Sequence, residues 1–414
     1  MSDTHTKESI CVIIGASHAG INHAFALRKE GWEGAILLFD KDPEIPYHRP
    51  PLSKTYLSNA EVNLLKSVES YEKDNISLNL GVSVSSIQRK DRTITLSNDS
   101  VQAYDKLVIA TGARPIIPPI PGIETATNLY PMRTAEDVAN IRNAFQTSKN
   151  KRVVIIGGGY IGLETAASIK KLGGTVTVLE RETRILARVT APEMSEYFMQ
   201  LHAEHGVDIL TDKNVTAITN ANDVNTVVCG DGSQFEADII IVGVGIRVNL
   251  ELAKEAGIVI ENGILVNETA CTNDSDIYAI GDCTFHFNPH YNRHVRLESV
   301  QNAVDQAKVA AAAICGKNPV YNAMPWFWSD QYDVKLQMVG LSQGYNQTLI
   351  RKEDSETTKT SIWYFEDDVL LAVDAINNPK AFVLGTKFIK DGSKIDKSKL
   401  VDASVPFKPA ELLV

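Results

Sequence analysis

Two glycine-rich turns, Gly15-Ala-Ser-His-Ala-Gly20 and Gly157-Gly-Gly-Tyr-Ile-Gly162, are the residues of this chain whose types and spacing most clearly carry chemistry. Glycine in such a turn lets the backbone approach a pyrophosphate, and the helix that follows offers unpaired N–H groups and a positive dipole end. One such turn is weak evidence for a dinucleotide site. Two in one chain predict two dinucleotides, and therefore electrons that pass from one to the other.

The elements around each turn are those that position a dinucleotide. Apolar runs at 11–14 and 152–156 predict buried parallel strands before the turns, and the residues after each turn predict amphipathic helices. The next strands are predicted at 35–39 and 175–179. The chain is therefore predicted to be an α/β protein with two β-α-β units.

An acid ends the second strand of each unit. Asp40 and Glu180 stand where a carboxylate can bind an adenosine ribose. Glu180 would repel a 2′-phosphate and so favours NADH over NADPH, although Arg181 and Arg184 nearby would weaken that preference. In the first turn Ser17 occupies the middle fingerprint position, where serine is still small enough for close approach.

Composition excludes several classes of function. The net charge of −10 argues against nucleic acid as the main partner, because no basic excess is available to neutralise phosphates. No apolar run approaches the ~18 residues of a membrane span, and residues 1–8 lack the apolar core of a signal peptide. The five scattered cysteines fit a reducing compartment and predict no metal or cluster site. We expect a cytoplasmic protein.

The remainder of the chain supplies a connection and a third domain. Four prolines within 115–121 predict an extended connection between domains. From Pro319 onwards, aromatic residues among alternating strand-like runs predict an antiparallel domain. His286, His290 and His294 recur every four residues, but Pro289 would break a helix that aligned them. We expect surface-loop histidines there rather than metal ligands.

Motifs along the whole chain carry a family resemblance. In order they are Gly15–Gly20, Ile45-Pro-Tyr-His-Arg-Pro-Pro-Leu-Ser-Lys54, Ala110-Thr-Gly-Ala-Arg-Pro115, Gly157–Glu164, Ile280-Gly-Asp282, Leu297-Glu-Ser-Val-Gln-Asn-Ala303, Pro325-Trp-Phe-Trp-Ser-Asp-Gln-Tyr332 and Leu371-Ala-Val-Asp-Ala375. Together the motifs resemble those of FAD-dependent, NADH-linked ferredoxin reductases, a group that includes rubredoxin reductases and the reductase components of aromatic-ring dioxygenases.

The resemblance implies a glutathione-reductase-like flavoprotein with two dinucleotide-binding domains and a C-terminal α+β interface domain. The FAD-binding domain would comprise residues 1–118 and 248–320, and the NAD-binding domain 119–247. The interface domain would comprise residues 321–414.

The resemblance also implies the residues that bind FAD and NADH. Gly15, Ser17, Ala19 and Gly20 would hold the FAD pyrophosphate, with Asp40 and Lys41 by the adenosine. Asp282 would accept hydrogen bonds from the ribityl chain. The remaining implied cofactor-binding residues are Arg49, Lys54, Val84, Thr111, Gly112, Arg133, Val300, Trp328, Gly157, Gly159, Tyr160, Ile161, Gly162, Glu164, Glu180, Gly245 and Glu298.

Two residues are assigned a catalytic role. In isolation Lys54 would be a solvated lysine, and Glu164 a polar residue in the first turn of a helix. The resemblance instead places Lys54 beside the flavin and pairs it with Glu164 near the nicotinamide. A cation there favours the anionic reduced flavin by Coulomb attraction.

The Trp326–Trp328 segment would lie near the exposed flavin edge or in the core. Five lysines between 387 and 399 would form a solvated face or help to dock an acidic partner.

The cysteine positions select the branch of the family. Disulfide reductases of this fold need a C-x4-C pair and peroxidase-like relatives a cysteine near 40–54; the sequence has neither. We therefore predict an NADH:ferredoxin oxidoreductase that reduces a small iron–sulfur protein, which in turn serves a cytochrome P450 or other oxygenase. The alternatives are a rubredoxin reductase of an alkane hydroxylase system, an NADH oxidase or quinone reductase, and a non-enzymatic redox signalling protein like apoptosis-inducing factor. Both monomer and dimer fit this architecture.

Overall fold

The computed structural model describes residues 6–221, 224–353 and 359–414. The chain divides into two compact units. The first unit comprises the chain up to His48, Asn63–Arg114 and Arg247–Pro325. The second unit comprises Arg49–Val62, Pro115–Ile246 and Trp326–Val414.

Strands and helices alternate around the two glycine turns, and runs of consecutive strands make up much of the rest of both units. The strands are β1 (Ile10–Ile14), β2 (Ala35–Asp40), β3 (Ile76–Leu80), β4 (Val84–Gln88), β5 (Thr93–Leu96), β6 (Val101–Ala103), β7 (Lys106–Ile109), β8 (Ala113–Pro115), β9 (Leu129–Pro131), β10 (Arg152–Ile156), β11 (Thr175–Leu179), β12 (Asp208–Leu210), β13 (Val215–Ala221), β14 (Val224–Cys229), β15 (Gln234–Ala237), β16 (Ile239–Val242), β17 (Ile246–Val248), β18 (Ile264–Val266), β19 (Ile277–Ala279), β20 (Thr284–Asn288), β21 (Arg293–Val295), β22 (Trp326–Gln331), β23 (Val334–Gly340), β24 (Gln347–Lys352), β25 (Thr360–Glu366) and β26 (Val369–Ile376). The helices are α1 (His18–Glu30), α2 (Val68–Lys73), α3 (Ala135–Thr147), α4 (Tyr160–Lys171), α5 (Pro192–Glu204), α6 (Glu251–Glu255), α7 (Val300–Ile314), α8 (Pro379–Asp391), α9 (Lys397–Val401) and α10 (Pro409–Leu412).

A parallel sheet with strand order β19-β7-β1-β2-β3 forms the centre of the first unit. Its strands β1, β2 and β7 are apolar on both faces, as a sheet covered by helices requires. Helices α1 and α7 pack together through small buried residues that include Ala24, Ala307 and Ala310. The His23 ring nitrogen Nδ1 lies 3.0 Å from the Ala307 carbonyl oxygen. Small side chains allow this close approach of the two helices.

The second unit repeats the plan and adds an antiparallel sheet. Its parallel sheet has the order β12-β11-β10-β16-β9, which confirms the second predicted β-α-β unit. The antiparallel sheet has the order β22-β23-β26-β25-β24, which confirms the antiparallel region predicted after Pro319. Helix α8 packs on this sheet with Leu384 and Phe388 buried. It begins at Pro379, and the Asn378 side chain caps it by accepting from Ala381 N–H.

The histidine prediction needs correction. His286 lies in β20 and is only 2% exposed, because alternate side chains of a strand face inward. The expectation of surface-loop histidines is therefore wrong for His286, and His294, although exposed, lies in strand β21 rather than in a loop. Within the described ranges, no group of three or more His, Cys, Asp or Glu residues is placed to hold a metal ion. A search of the same residues finds no helix that could cross a membrane.

Candidate active site

The first glycine turn joins β1 to α1 and leaves no room for side chains at its two ends. Gly15 has a φ of +108°, and a Cβ added there would lie 2.3 Å from the Ala110 carbonyl oxygen. A Cβ added at Gly20 would lie 1.9 Å from the Gly15 carbonyl oxygen. Both positions therefore need glycine, because any Cβ would displace backbone atoms.

Asp40 fastens this turn to the end of β2. Its Oδ2 accepts a hydrogen bond from Ala16 N–H at 2.5 Å, and its Oδ1 accepts from Asp42 N–H at 2.9 Å. A carboxylate has two oxygens that can each accept a hydrogen bond, and both are used here. Asp40 thus organises the turn as well as standing where a ribose contact was predicted.

The second glycine turn reproduces this arrangement between β10 and α4. Gly157 has a φ of +111°, and a Cβ at Gly162 would lie 2.1 Å from the Gly157 carbonyl oxygen. Glu180 Oε2 accepts from Gly158 N–H at 2.6 Å, and Oε1 accepts from Glu182 N–H at 2.9 Å. The two predicted acids therefore hold their turns with the same pair of bonds.

The turns fit the pyrophosphate of a dinucleotide. A Cβ added at Gly159 would meet no atom within 4 Å, so space is open in front of the α4 N-terminus. Ser17 stands at the equivalent position before α1. The first N–H groups of a helix lack intrahelical acceptors and attract an anion. The residues present therefore suit one dinucleotide in each unit.

In the first unit, predicted cofactor residues gather at one edge of the parallel sheet. Gly15 follows β1, Asp40 ends β2, Thr111 follows β7 and Asp282 follows β19. These strands are parallel neighbours, so their carboxyl ends meet at the same edge, where ligands of such sheets bind. Val84 lies on β4 of a separate three-stranded sheet, two residues after Val82, whose N–H donates to the Asp40 carbonyl oxygen at 2.9 Å.

The other predicted residues of the first unit have individual settings. Thr111 Oγ1 donates to the Asn249 carbonyl oxygen at 2.9 Å. Ala19 lies in α1 and Val300 begins α7. Glu298 pairs with Arg296 at 3.0 Å. The remaining two are Lys41, which is exposed after β2, and Gly112, with a φ of +58°.

A buried ion pair occupies the second unit. Lys54 lies between two short 3₁₀ turns, Pro50–Ser53 and Thr55–Leu57, and its Nζ is 2.7 Å from Glu164 Oε2. Glu164 projects from α4 and is 2% exposed. Ser53 Oγ donates to the same Oε2 at 2.6 Å, and Ser329 Oγ donates to Oε1 at 2.7 Å.

These hydrogen bonds explain how the Glu164 carboxylate can be buried away from water. A buried carboxylate is costly unless it is paired and its remaining lone pairs are satisfied. Glu164 receives an ammonium and two hydroxyl groups, which compensate its burial. Sequence reasoning missed both serines. Their signal lay inside the quoted motifs, since Ser53 precedes Lys54 and Ser329 follows Trp328.

Aromatic residues surround the start of α4. The Tyr160 ring lies 5.2 Å from the Phe327 ring, and burial raises the pKa of its phenol, with the Asp374 and Glu164 charges adding to that effect. Trp328 is half-buried and lies 5.5 Å from Trp326. Ile161 is 43% exposed. Tyr160 is thus packed on β22, while its neighbour Ile161 remains accessible.

The arginines near Glu180 are engaged by the chain itself. Arg181 pairs with Glu182 at 2.7 Å. Arg184 donates to Ser195 Oγ at 2.8 Å and to the Ala187 carbonyl oxygen at 2.9 Å. Both guanidinium groups near Glu180 are therefore already bound by other residues of the chain.

The last predicted residues of the second unit lie in loops. A Cβ added at Gly245, whose φ is +116°, would lie 3.5 Å from Arg188 Nη2. Arg49 Nη1 donates to the Arg133 carbonyl oxygen at 3.4 Å. Gly245, Arg49 and Arg133 therefore all lie outside helices and strands.

Two dinucleotide turns and a buried lysine–glutamate pair define an oxidoreductase that uses two dinucleotides. The chain belongs to the pyridine nucleotide-disulphide oxidoreductase family, whose sequence model matches residues 10–307. Residues 326–411 match a second model, described as the reductase C-terminal domain.

Relatives agree over nearly the whole chain. Putidaredoxin reductase of Pseudomonas putida is 43% identical over 405 residues, 96% of this chain and 95% of the relative. Rubredoxin–NAD(+) reductase of Pseudomonas putida is 37% identical over 373 residues, 89% of this chain and 96% of the relative. A chain of the crystal structure of a covalent putidaredoxin reductase–putidaredoxin complex superposes with a TM-score of 0.92 at 41% identity, covering 97% of this chain and 98% of that one. These matches confirm the predicted resemblance, the glutathione-reductase-like fold and the use of FAD and NAD(P)H.

Proposed function

We propose that the protein is an NADH:ferredoxin oxidoreductase that passes single electrons to a small iron–sulfur protein, most simply a 2Fe–2S ferredoxin serving a cytochrome P450 or other oxygenase. The observation that carries this proposal is the Lys54–Glu164 pair, whose buried carboxylate lies on α4, the helix that follows the second dinucleotide turn. The names of the relatives, among them putidaredoxin reductase and rubredoxin–NAD(+) reductase, support the class of acceptor.

Each unit contributes one binding site in this proposal. The turn at Gly15–Gly20, with Asp40, Thr111 and Asp282, would hold FAD, and the turn at Gly157–Gly162, with Glu180, would hold NADH. When bound, FAD supplies the ability to accept a hydride and to release its electrons singly. Three functional domains, with boundaries near 118, 247 and 320, remain our proposed division.

The Lys54–Glu164 pair would provide fixed charge at the reacting centre. Glu164 holds the Lys54 ammonium at 2.7 Å, so the position of that positive charge is set before reaction. A preorganised cation stabilises negative charge that develops nearby, without reorganisation at the moment of transfer. Substituting Lys54→Met should therefore lower both the flavin midpoint potential and the hydride-transfer rate. An unchanged midpoint potential and an unchanged rate in that variant would show that the pair takes no part in hydride transfer.

NADH is the proposed donor. Glu180 keeps both carboxylate oxygens on backbone N–H groups, which anchors its charge where an adenosine 2′-phosphate would lie. Arg181 and Arg184 are occupied by Glu182 and Ser195 and so offer little compensation to that phosphate.

The antiparallel sheet and α8 offer a route towards an acceptor. Trp328, Trp326 and Phe382 form a series of ring contacts of 5.5 and 5.8 Å that ends on α8. Of the five lysines between 387 and 399, Lys387, Lys397 and Lys399 pair with acids of their own region. Electrostatic steering of an acidic ferredoxin would therefore be weaker than the lysine count suggests.

Reduction of cytochrome c by NADH, with and without a purified 2Fe–2S ferredoxin, tests the function. A large ferredoxin-dependent increase is expected, with NADPH a much poorer donor. A rubredoxin arm tests the alternative suggested by the 37% identical rubredoxin–NAD(+) reductase. Rapid oxygen or quinone consumption with no stimulation by either protein would contradict the proposal.

Five free cysteines and a nicotinamide donor support the further proposal of a cytoplasmic location.

A further inference from the structure

A chain of polar side chains runs from Glu164 into the interior of the second unit. Its members are Ser329 and Gln331 of β22, His202 of α5, and Tyr332. Ser329, Gln331 and His202 are each 1% exposed or less. Residues 329 and 331 share one face of β22 because side chains alternate along a strand. We refer to these four residues as the Glu164 chain.

Consecutive members of the Glu164 chain are in hydrogen-bonding contact. Ser329 Oγ lies 2.7 Å from Glu164 Oε1, and Gln331 Nε2 lies 3.3 Å from Ser329 Oγ. At the other end of the amide, Gln331 Oε1 lies 2.8 Å from His202 Nε2. The Tyr332 hydroxyl oxygen lies 3.3 Å from His202 Nδ1.

The chemistry of the first link fixes the direction of all the others. Glu164 is paired with an ammonium and accepts only, so the single Ser329 hydroxyl proton points to it. Ser329 Oγ must then accept from Gln331, which places the amide nitrogen on that side and the amide oxygen towards His202. The nearer imidazole nitrogen, Nε2, therefore carries a proton.

The same reasoning sets the far end of the chain. With Nε2 protonated, neutral His202 has an acceptor at Nδ1, so the Tyr332 hydroxyl donates to it. Burial lowers the pKa of His202 to about 4, the Gln331 hydrogen bond opposes that shift, and the His205 charge adds to it. The imidazole is consequently neutral near pH 7. Every donor in the chain points towards Glu164.

We propose that Ser329, Gln331 and His202 are positioning residues for hydride transfer, which hold the Glu164 carboxylate against Lys54 by donating towards it in series. This inference rests on the proposed role of Lys54 and Glu164. Aligned hydrogen bonds polarise one another, so each link strengthens the bond that reaches the carboxylate. Loss of Ser329 would leave Oε1 without its donor, so the carboxylate would be held through Oε2 alone, by Lys54 and Ser53, and its orientation would be less firmly fixed.

Ser329→Ala is the first test, with Ser361→Ala as its matched control. Ser361 is also a fully buried serine of the same sheet, but its hydroxyl oxygen accepts from Trp363 Nε1 and has no bond to Glu164. A hydrogen bond to a charged group is worth enough to slow hydride transfer about tenfold when it is lost. We expect that loss in Ser329→Ala with the KM for NADH unchanged, and a rate within about twofold of wild type in Ser361→Ala, where no charged group is affected. Equal rates in the two variants would overturn the proposal.

The tautomer of His202 gives a readout that does not depend on turnover. In holoenzyme with ¹⁵N-labelled histidine, nuclear magnetic resonance should show His202 with its proton on Nε2 only. Ser329→Ala releases the orientation of Gln331, so a second tautomer should appear there but not in Ser361→Ala. A proton on Nδ1 in the wild type, or no change in Ser329→Ala, would contradict the directional chain.

Variants of His202 separate a positioning role from a packing role. His202→Gln keeps a donor where Nε2 stood and should preserve hydride transfer, whereas His202→Phe removes the donor and should slow transfer by less than Ser329→Ala does. Equal rates in the Gln and Phe variants would mean that His202 acts only by packing.

Lys54→Met separates failure of this inference from failure of the function. If it slows hydride transfer while Ser329→Ala does not, the chain is wrong and the function stands. If Lys54→Met has no effect, the proposed site of reaction itself is wrong, and the tautomer measurement still decides whether the chain exists.

Discussion

The two glycine turns are built alike and differ in their surroundings. In both, the first glycine adopts a positive φ, the last glycine leaves no room for a Cβ, and an acid accepts from the turn with one oxygen. The equivalent of Gly159 in the second turn is Ser17 in the first. The spacing of glycines therefore encodes the turn, and other residues must distinguish the nucleotides.

The surroundings differ in what covers each turn. Helix α1, after the first turn, is held by α7 through small buried side chains and the His23 contact. The segment after Glu180 covers the second turn. Leu186 N–H donates to the Gly158 carbonyl oxygen at 3.0 Å, and a Cβ on Gly158 would meet Ile185 at 2.7 Å. The middle of the second turn is thus covered by one connecting segment, while Gly157 at its start lies against Gly243.

Replacing the last glycine of each turn should have the largest effect. In Gly20→Ala and Gly162→Ala the new Cβ would meet a backbone oxygen at 1.9 and 2.1 Å, so strand, turn or helix must shift. We expect Gly20→Ala to be purified without flavin. Gly162→Ala should remain yellow and lose NADH binding, as measured by flavin absorbance and by NADH titration.

A glycine outside both turns provides the control. A Cβ at Gly230 would lie 3.4 Å from Thr216 Cγ2, an ordinary contact, so Gly230→Ala should keep the flavin and bind NADH normally. Loss of flavin in Gly162→Ala, or its retention in Gly20→Ala, would show that the turns do not serve separate nucleotides.

Acid should destabilise the first unit more than the second. Burial lowers the pKa of His23 and of His286 to about 4, and both lie in the first unit. Between pH 6.5 and 4 these two histidines are protonated in the unfolded chain but remain neutral in the folded chain. The free energy of unfolding therefore decreases as the pH falls, by roughly 3 kcal/mol for each histidine.

In the second unit two buried groups oppose each other over the same range. Burial lowers the pKa of His202 to about 4, so this residue also decreases the free energy of unfolding as the pH falls. Burial raises the pKa of Asp374 to about 7, so the folded chain retains a proton there and gains stability between pH 7 and 3.8.

Hydrogen exchange measured from pH 7 to 4 should therefore show protection lost first in the first unit, together with flavin release. His23→Asn keeps a donor near the Ala307 carbonyl and should flatten the acid dependence of that unit. Earlier loss of protection in the second unit would contradict the assignment of these buried groups.

Neutralising the two acids should have a smaller effect, again divided between the turns. An amide at position 40 or 180 has one acceptor oxygen where the carboxylate uses two. Losing a charge-assisted bond should weaken nucleotide affinity about 10- to 100-fold. Asp40→Asn should release FAD on dilution, and Glu180→Gln should raise the Kd for NADH with flavin retained. If Glu180→Gln released flavin instead, the acid would be serving the fold rather than its own nucleotide.

The parts of the site that the sequence predicted are local along the chain. Each strand, glycine turn and acid lies within about 30 residues, the size of a β-α-β unit, so its period and spacing are visible in one segment. The Lys54–Glu164 pair spans 110 residues and came only from the family resemblance. The Ser329 bond to Glu164 spans 165 residues and was missed, because which face of β22 meets α4 depends on tertiary packing. His286 was placed wrongly for the same reason, since the inward face of β20 is set by its partners.

The smallest effect is expected where the second turn has a feature that the first lacks. Arg181 and Glu182 form an exposed ion pair beside Glu180. In the first turn the residue after Lys41 is Asp42, and its Oδ2 accepts a hydrogen bond from the Tyr47 hydroxyl at 2.9 Å. Glu182→Gln would release Arg181 towards a 2′-phosphate, and because exposed pairs are weak the ratio of kcat/KM for NADPH to that for NADH should rise by no more than about fivefold. Arg181→Gln on the Glu182→Gln background should return the ratio to its starting value. A rise that persisted without Arg181 would mean that the charge of Glu182 itself, and not the guanidinium it holds, discriminates against the phosphate.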